Sequence, residues 1–246
     1  MPGLRRGPRT TPSLGAPLTE LPIALLVTAC ALLGLAAAPA ALAVTRRLLP
    51  GTELGRVRWH AVAGSVATAA LFGAMAWRFG STWVLPAFLF LCAAGLVLSR
   101  IDLQHKLLPN RIIVPMLGIG LLLLLLDASM NQRWGNLLVA AIGCAVTFVI
   151  YLLLALISPR GMGMGDVKLS APLGLYLGYL SVGHLILGVA LGFVVGAVTS
   201  VLLVTGGFAG RKTSVPFGPS MFAGCVLTVL WGTEIGRVLL PTVFPR

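Results

Sequence analysis

Acidic residues are what this chain has least of: six Asp and Glu in 246 residues, against eighteen Lys and Arg. Only 10% of the residues are charged and the mean hydropathy is +0.99, whereas a soluble domain carries about 25% charged residues. The shortage argues against a water-soluble domain and for an integral membrane protein. Cysteine is also scarce. Cys30, Cys92, Cys144 and Cys225 stand singly inside apolar runs, and no Cys-x-x-Cys pair occurs. Zinc sites and thiol redox motifs need clustered thiols, so small apolar packing is the role left to them. His60, His105 and His184 fall in separate segments and make no metal-ligand cluster. The net charge of +12 does not mark a nucleic-acid binder, because Lys and Arg stand singly or in pairs at the ends of apolar segments rather than along one face. Basicity distributed in that way reports membrane topology.

What the chain has in abundance is apolar runs of membrane-crossing length. Residues 1–20, rich in Pro, Arg and Thr, read as a disordered tail, and 21–246 as a single membrane-embedded domain. Eight spans are expected at about 21–44, 61–77, 83–99, 112–127, 136–157, 167–181, 184–205 and 218–237, each bounded by charge, Pro or Gly. The fold class is therefore all-α, a polytopic helix bundle in the lipid bilayer. The sixth span is short, as for a helix that begins at the membrane surface just after Asp166 or that is partly re-entrant. Loops after spans one, three, five and seven hold eleven of the eighteen Lys and Arg, which places those loops in the cytoplasm.

That topology sorts the few acids. Asp102 falls in the third loop and Asp166 in the fifth, so both reach the cytoplasmic face although they are far apart in sequence. Asp127 and Glu234 fall at the opposite membrane edge, Glu20 precedes the first span and Glu53 lies in the first loop. Ionisable groups at membrane depth are costly unless solvated or paired, so a carboxylate kept there is a functional candidate. Each aspartate also has a simpler reading by itself. Asp166 could cap a helix that follows a glycine-rich loop, and Asp102, near Arg100, Lys106 and Arg111, could belong to a solvated charge cluster. Together they suggest acid/base chemistry, in which one carboxylate takes a proton from water while the other, protonated, donates to a carbonyl oxygen. Such chemistry calls for no metal, cofactor or side-chain nucleophile. Gly161, Gly163 and Gly165 would let an extended substrate and water approach Asp166.

Three segments carry a resemblance: Asp102 through Leu108-Pro109-Asn110; Gly163-Met164-Gly165-Asp166-Val167-Lys168-Leu169; and Val215-Pro216-Phe217-Gly218-Pro219. In this order they resemble the signature segments of type IV prepilin peptidases, over roughly residues 60–240. The resemblance implies an eight-helix bacterial intramembrane aspartyl protease that removes the leader from pilin and pseudopilin precursors at the cytoplasmic face of the plasma membrane. Asp102 and Asp166 would be the catalytic pair. Gly163, Gly165, Pro109 and Asn110 would shape the site, as would Pro216, Phe217, Gly218 and Pro219 through a rigid turn into the last span. Lys168 would tune Asp166 or snorkel at the interface, and His105 is a candidate partner of Asp102. Partners are then pilin-like precursors and lipid, with no nucleic acid; no oligomeric state follows. Bifunctional members insert a domain with paired Cys-x-x-Cys motifs between the first two spans, associated with methylation of the new N-terminus. Here that connection, about Thr45 to His60, has no cysteine, so peptidase activity without methyltransferase activity is expected. A presenilin-type protease fits less well, because the first aspartate is in a Leu-Pro-Asn context rather than a Tyr-Asp pair. The non-enzyme alternative is a proton- or cation-coupled transporter or channel using the same two aspartates.

Overall fold

The computed structural model describes residues 22–48, 58–158, 162–206, 216–239 and 241–242. The tail at 1–20, Glu53, Arg160, Gly161, Val215, Arg211 and Lys212 lie outside them. Among the described residues there are eight helices and no strand: α1 (Ile23–Leu48), α2 (Arg58–Phe79), α3 (Leu85–His105), α4 (Asn110–Asn131), α5 (Trp134–Ile157), α6 (Met164–Leu180), α7 (Val182–Thr205) and α8 (Gly218–Leu239). All except α6 are long and apolar enough to cross a membrane. At 17 residues α6 is about 25 Å long, and almost every residue from Asp166 to Tyr179 is buried by its neighbours.

The expected spans are all present, but their ends move in ways that matter. The third does not stop at residue 99: α3 runs on through Asp102 to His105, so Asp102 belongs to a helical last turn rather than to a loop. Polar residues do not end a helix that has reached the interface, since its backbone hydrogen bonds are satisfied internally. It ends at Lys106, which turns left-handed (φ 52°) and donates its N–H to the Asp102 carbonyl at 2.8 Å. Pro109 then holds Leu108 out of helical geometry and leads into α4 at Asn110. α6 likewise begins at Met164, before Asp166 rather than after it, so Asp166 is the third helical residue and Gly163 the cap.

Helices pack through small residues, as expected where lipid supplies no hydrophobic drive between them. A Cβ added to Gly34 of α1 would lie 2.8 Å from Ala69 Cα of α2. One on Gly224 of α8 would lie 2.3 Å from Gly192 N of α7. Between α5 and α6 the approach repeats along the helices: Gly178 lies against Val139, Gly174 against Gly143, and Thr147 Oγ1 donates to the Ser170 carbonyl at 3.0 Å. The aromatic centre of the bundle is Phe88, stacked on Phe79 at 4.5 Å and meeting Tyr176 edge-on at 5.5 Å.

Outward faces are apolar. On α5, Leu138, Ile142, Val146, Val149, Leu153 and Leu156 are exposed at helical spacing, a surface suited to acyl chains. Trp77, Trp134 and Trp231 are exposed near the end of α2, the start of α5 and the end of α8, all at one end of the bundle, as interfacial tryptophans would be. The protein is a multi-pass membrane protein. At this tryptophan end Asp127 is fully buried, accepting from the Tyr179 hydroxyl and, at 2.8 Å, from Asn131 Nδ2. Asn136 Nδ2 donates to the Tyr179 carbonyl at 2.9 Å, which ties α4, α5 and α6 together.

Candidate functional site

Asp102 and Asp166 both lie at the other end of the bundle. Helices alternate in direction, so the last turn of α3 and the first turns of α4, α6 and α8 share that end. The bundle then leaves both carboxylates almost enclosed, with Asp102 4% and Asp166 7% exposed. Each accepts a backbone N–H from a glycine. Gly163 N–H donates to Asp166 Oδ2 at 3.1 Å, the return half of a capping box, while Asp166 N–H donates to the Gly163 carbonyl at 3.1 Å. Gly218 N–H, the first free amide of α8, donates to Asp102 Oδ2 at 3.1 Å. One acid is thus held within its own turn, and the other by a segment 116 residues away.

Glycine is required at two of these positions by close approach. A Cβ on Gly218 would lie 2.7 Å from Asp102 Oδ2, and one on Gly165 would lie 2.8 Å from Leu108 Cβ. Leu108 also lies near Gly218, its Cδ1 3.5 Å from the position of the absent Cβ. This leucine therefore wedges between the start of α6, which bears Asp166, and the start of α8, whose amide holds Asp102. Its signal in the sequence is its place in the Leu108-Pro109-Asn110 segment.

The other candidates divide. Lys168 Nζ donates to Asn110 Oδ1 at 3.1 Å, linking the first turns of α6 and α4, and among the described residues it makes no ion pair with Asp166. Pro109 is the residue before α4 and offers no side-chain cap. Pro216 and Phe217 lead into α8, and Pro219 occupies its first turn, where a missing N–H costs nothing. The Phe217 ring packs into an aromatic group, 5.4 Å from Phe193 and 6.5 Å from Tyr151. His105 Nε2 is buried without a hydrogen-bond partner, so no bond joins that nitrogen to Asp102.

Electrostatically the two acids act on each other. Burial pushes the Asp166 carboxyl up to about 6, the Gly163 N–H pulls it down, and the charge on Asp102 pushes it up further. No group of three or more His, Cys, Asp or Glu side chains is placed to hold a metal among the described residues.

A bundle of membrane-crossing helices that gathers two enclosed carboxylates at one membrane edge defines a class of polytopic proteins with an interfacial diacid site. The particular family follows from the comparisons. The chain belongs to the type IV leader peptidase family, whose model matches residues 89–232, the stretch that holds both aspartates and the start of α8. It is 36% identical over 169 residues to a prepilin leader peptidase/N-methyltransferase of Stutzerimonas stutzeri, covering 67% of this chain and 56% of that one. With the protein of the same name from Pseudomonas aeruginosa, identity is 36% over 178 residues, covering 71% of this chain and 59% of that one. With that of Bacillus subtilis it is 30% over 184 residues, covering 73% and 69%. The chain thus spans little more than half the length of the first two relatives. No solved structure matches it.

Proposed function

We propose that this protein is an intramembrane aspartyl endopeptidase that removes the leader from type IV prepilin or pseudopilin precursors at the cytoplasmic face of the plasma membrane. The observation that carries the reading is the juxtaposition of Asp102 and Asp166 at one end of the bundle, each tethered by a glycine amide, within the family-matched region. The pair holds one proton. Its ionised member takes a proton from water as the water oxygen bonds to the scissile carbonyl carbon, and its protonated member gives a proton to the carbonyl oxygen. The tetrahedral diol then returns a proton to one carboxylate while the other protonates the departing nitrogen and the C–N bond breaks. Water, carboxyls and peptide balance without any further reagent.

The exposed apolar face of the bundle favours a substrate whose own apolar segment lies in the bilayer and brings its scissile bond to the interface. Gly163 leaves backbone room beside Asp166, Gly165 admits Leu108, Pro109 with Asn110 and Pro216 with Pro219 stiffen the flanking turns, and the Lys168–Asn110 bond fixes α6 against α4. Cytoplasmic placement rests on the Lys and Arg bias of the loops. Methyl transfer is not part of the reading, since the nine residues 49–57 between α1 and α2 contain no cysteine and no Cys-x-x-Cys occurs in the chain.

The test is a cleavage assay in membranes with a pilin-like precursor. Asp102→Asn and Asp166→Asn are each expected to abolish leader removal, at least about a thousandfold, with unchanged insertion, because each retains the shape but not the proton chemistry. Either variant cutting at a substantial rate removes that residue from the pair. The sign of the pH dependence follows from the raised carboxyl: the shared proton is retained up to about pH 6. Cleavage is lost as pH rises through the upper apparent pKa of the pair, and again at low pH when both acids are protonated.

A further inference from the structure

The α5–α6 seam keeps one antiparallel register over its length. Val139 lies against Gly178, Gly143 against Gly174, and Thr147 bonds the Ser170 carbonyl at 3.0 Å. Each step advances one turn on both helices towards the aspartate end. The next step sets Tyr151 opposite Asp166.

Tyr151 is 2% exposed, though its side chain carries a hydroxyl. Its ring is held by Phe193 of α7, stacked at 5.5 Å and 20°, and by Phe217, tilted at 6.5 Å. Its hydroxyl oxygen lies 4.0 Å from where a Cβ on Gly192 would stand, in a seam that also brings Met221 of α8 close to Gly192. Tyr151, Thr147, Ser170 and Met221 line one cleft within the bundle. Phe217 immediately precedes Gly218, whose amide holds Asp102. The ring cluster therefore touches the segment that fixes one acid, and its phenol comes from the helix turn that faces the other. Among the described residues no hydrogen bond joins the Tyr151 hydroxyl to Asp166; the two stand on facing turns, with the hydroxyl turned towards Gly192.

We propose that Tyr151 is a positioning residue of the pair, its phenol turning from the Gly192 seam to donate a hydrogen bond that holds the Asp166 carboxylate in place during hydrolysis. This rests on the aspartyl peptidase reading above. Tyr151 is one of three tyrosines in the chain, and of the other two Tyr179 donates to Asp127 at the far end of α6. The same kind of bond would then fix both ends of α6. The titratable groups at this end of the bundle around Asp166 are Asp102 and His105 from the last turn of α3 and Tyr151 from α5. Lys168, on its own helix, is engaged by Asn110 of α4, which Arg111 follows. The facing stretches of α7 (188–196) and α8 (218–224) carry no titratable residue.

Purified full-length enzyme in lipid would be assayed over a range of pH as wild type, Tyr151→Phe, and a form carrying 3-fluorotyrosine at position 151. The Phe variant keeps the ring packing and loses the donor. Its kcat is expected to fall roughly tenfold or more with KM little changed, the size associated with a hydrogen bond to a charged group. Its alkaline limb should move to higher pH, because the ionised carboxylate has lost support. The fluorinated phenol is a stronger donor and should move the limb to lower pH; it also decides the matter if the Phe variant does not fold. An unaltered rate and pH profile in Tyr151→Phe overturns the proposal, as does a fluorinated enzyme whose profile does not move. The Asp102→Asn and Asp166→Asn variants run alongside: activity in these overturns the peptidase dyad itself, whereas inactive Asp variants beside an unaltered Tyr151→Phe overturn only the role of Tyr151.

Discussion

Asp102 and Asp166 differ in how they are held, and the difference shows where the site is fragile. Asp166 bonds the amide of Gly163 within its own helical turn, so its geometry follows from local sequence. Asp102 depends on Gly218, and a methyl group there would stand 2.7 Å from its Oδ2. Gly218→Ala must therefore push α8 away or rotate the carboxylate, losing the amide bond in either case. Cleavage is expected to fall by about a hundredfold, the scale associated with a displacement of about 1 Å at a reacting group. Gly163→Ala, whose Cβ would meet Asp166 Oδ2 at an ordinary 3.5 Å, should retain most activity. Parallel kcat measurements on the two variants check this ordering, and equal losses would refute it. Sequence alone places both glycines inside signature segments. Only the contact with Asp102 separates the indispensable one from the tolerant one.

At the scale of elements, α6 is the part on which the site depends. It is the shortest helix and the most enclosed, and it carries Asp166 at one end and Tyr179, bonded to Asp127, at the other. Its register against α5 is set by Gly174, where an added Cβ would lie 2.1 Å from Thr147 Oγ1 and 2.6 Å from the Gly143 carbonyl. Gly174→Val should cost about 1–3 kcal/mol through overpacking and lower cleavage as well, because a shift of α6 carries Asp166 with it. Gly118→Val is the control, since nothing lies within 4 Å of the Cβ position there. Thermal unfolding in detergent beside the cleavage assay reads both effects, and equal stability of the two variants would sink the account. The positions of all eight helices were legible as apolar runs. Their ends were not: α3 passes through Arg100 and Asp102, and α4 continues past Asp127, because interfacial and partnered polar groups do not break a helix.

For the whole molecule, topology brings the acids together. Alternating helices send the end of α3 and the start of α6 to one side, while the exposed tryptophans and buried Asp127 mark the other. If the aspartate side is cytoplasmic, an impermeant maleimide applied to intact cells should label a Gln132→Cys variant and spare a Leu107→Cys variant, both positions being exposed. The reverse pattern would invert the orientation and place hydrolysis on the outer face.

The sequence by itself determined that this is a membrane bundle, how many helices it has, and which two carboxylates fall at the same membrane edge. Those properties follow from apolar length, from cation bias and from the strictly alternating path of a chain that can cross lipid only as helices. Tertiary structure alone decided that Gly218 holds Asp102, that Leu108 wedges beside Gly165, that Lys168 turns to Asn110, and that Tyr151 comes into register with Asp166. Such pairings join residues tens of positions apart and depend on helix rotation and register. Lipid does not discriminate among rotations of an apolar helix; the fit of small residues across the seams does.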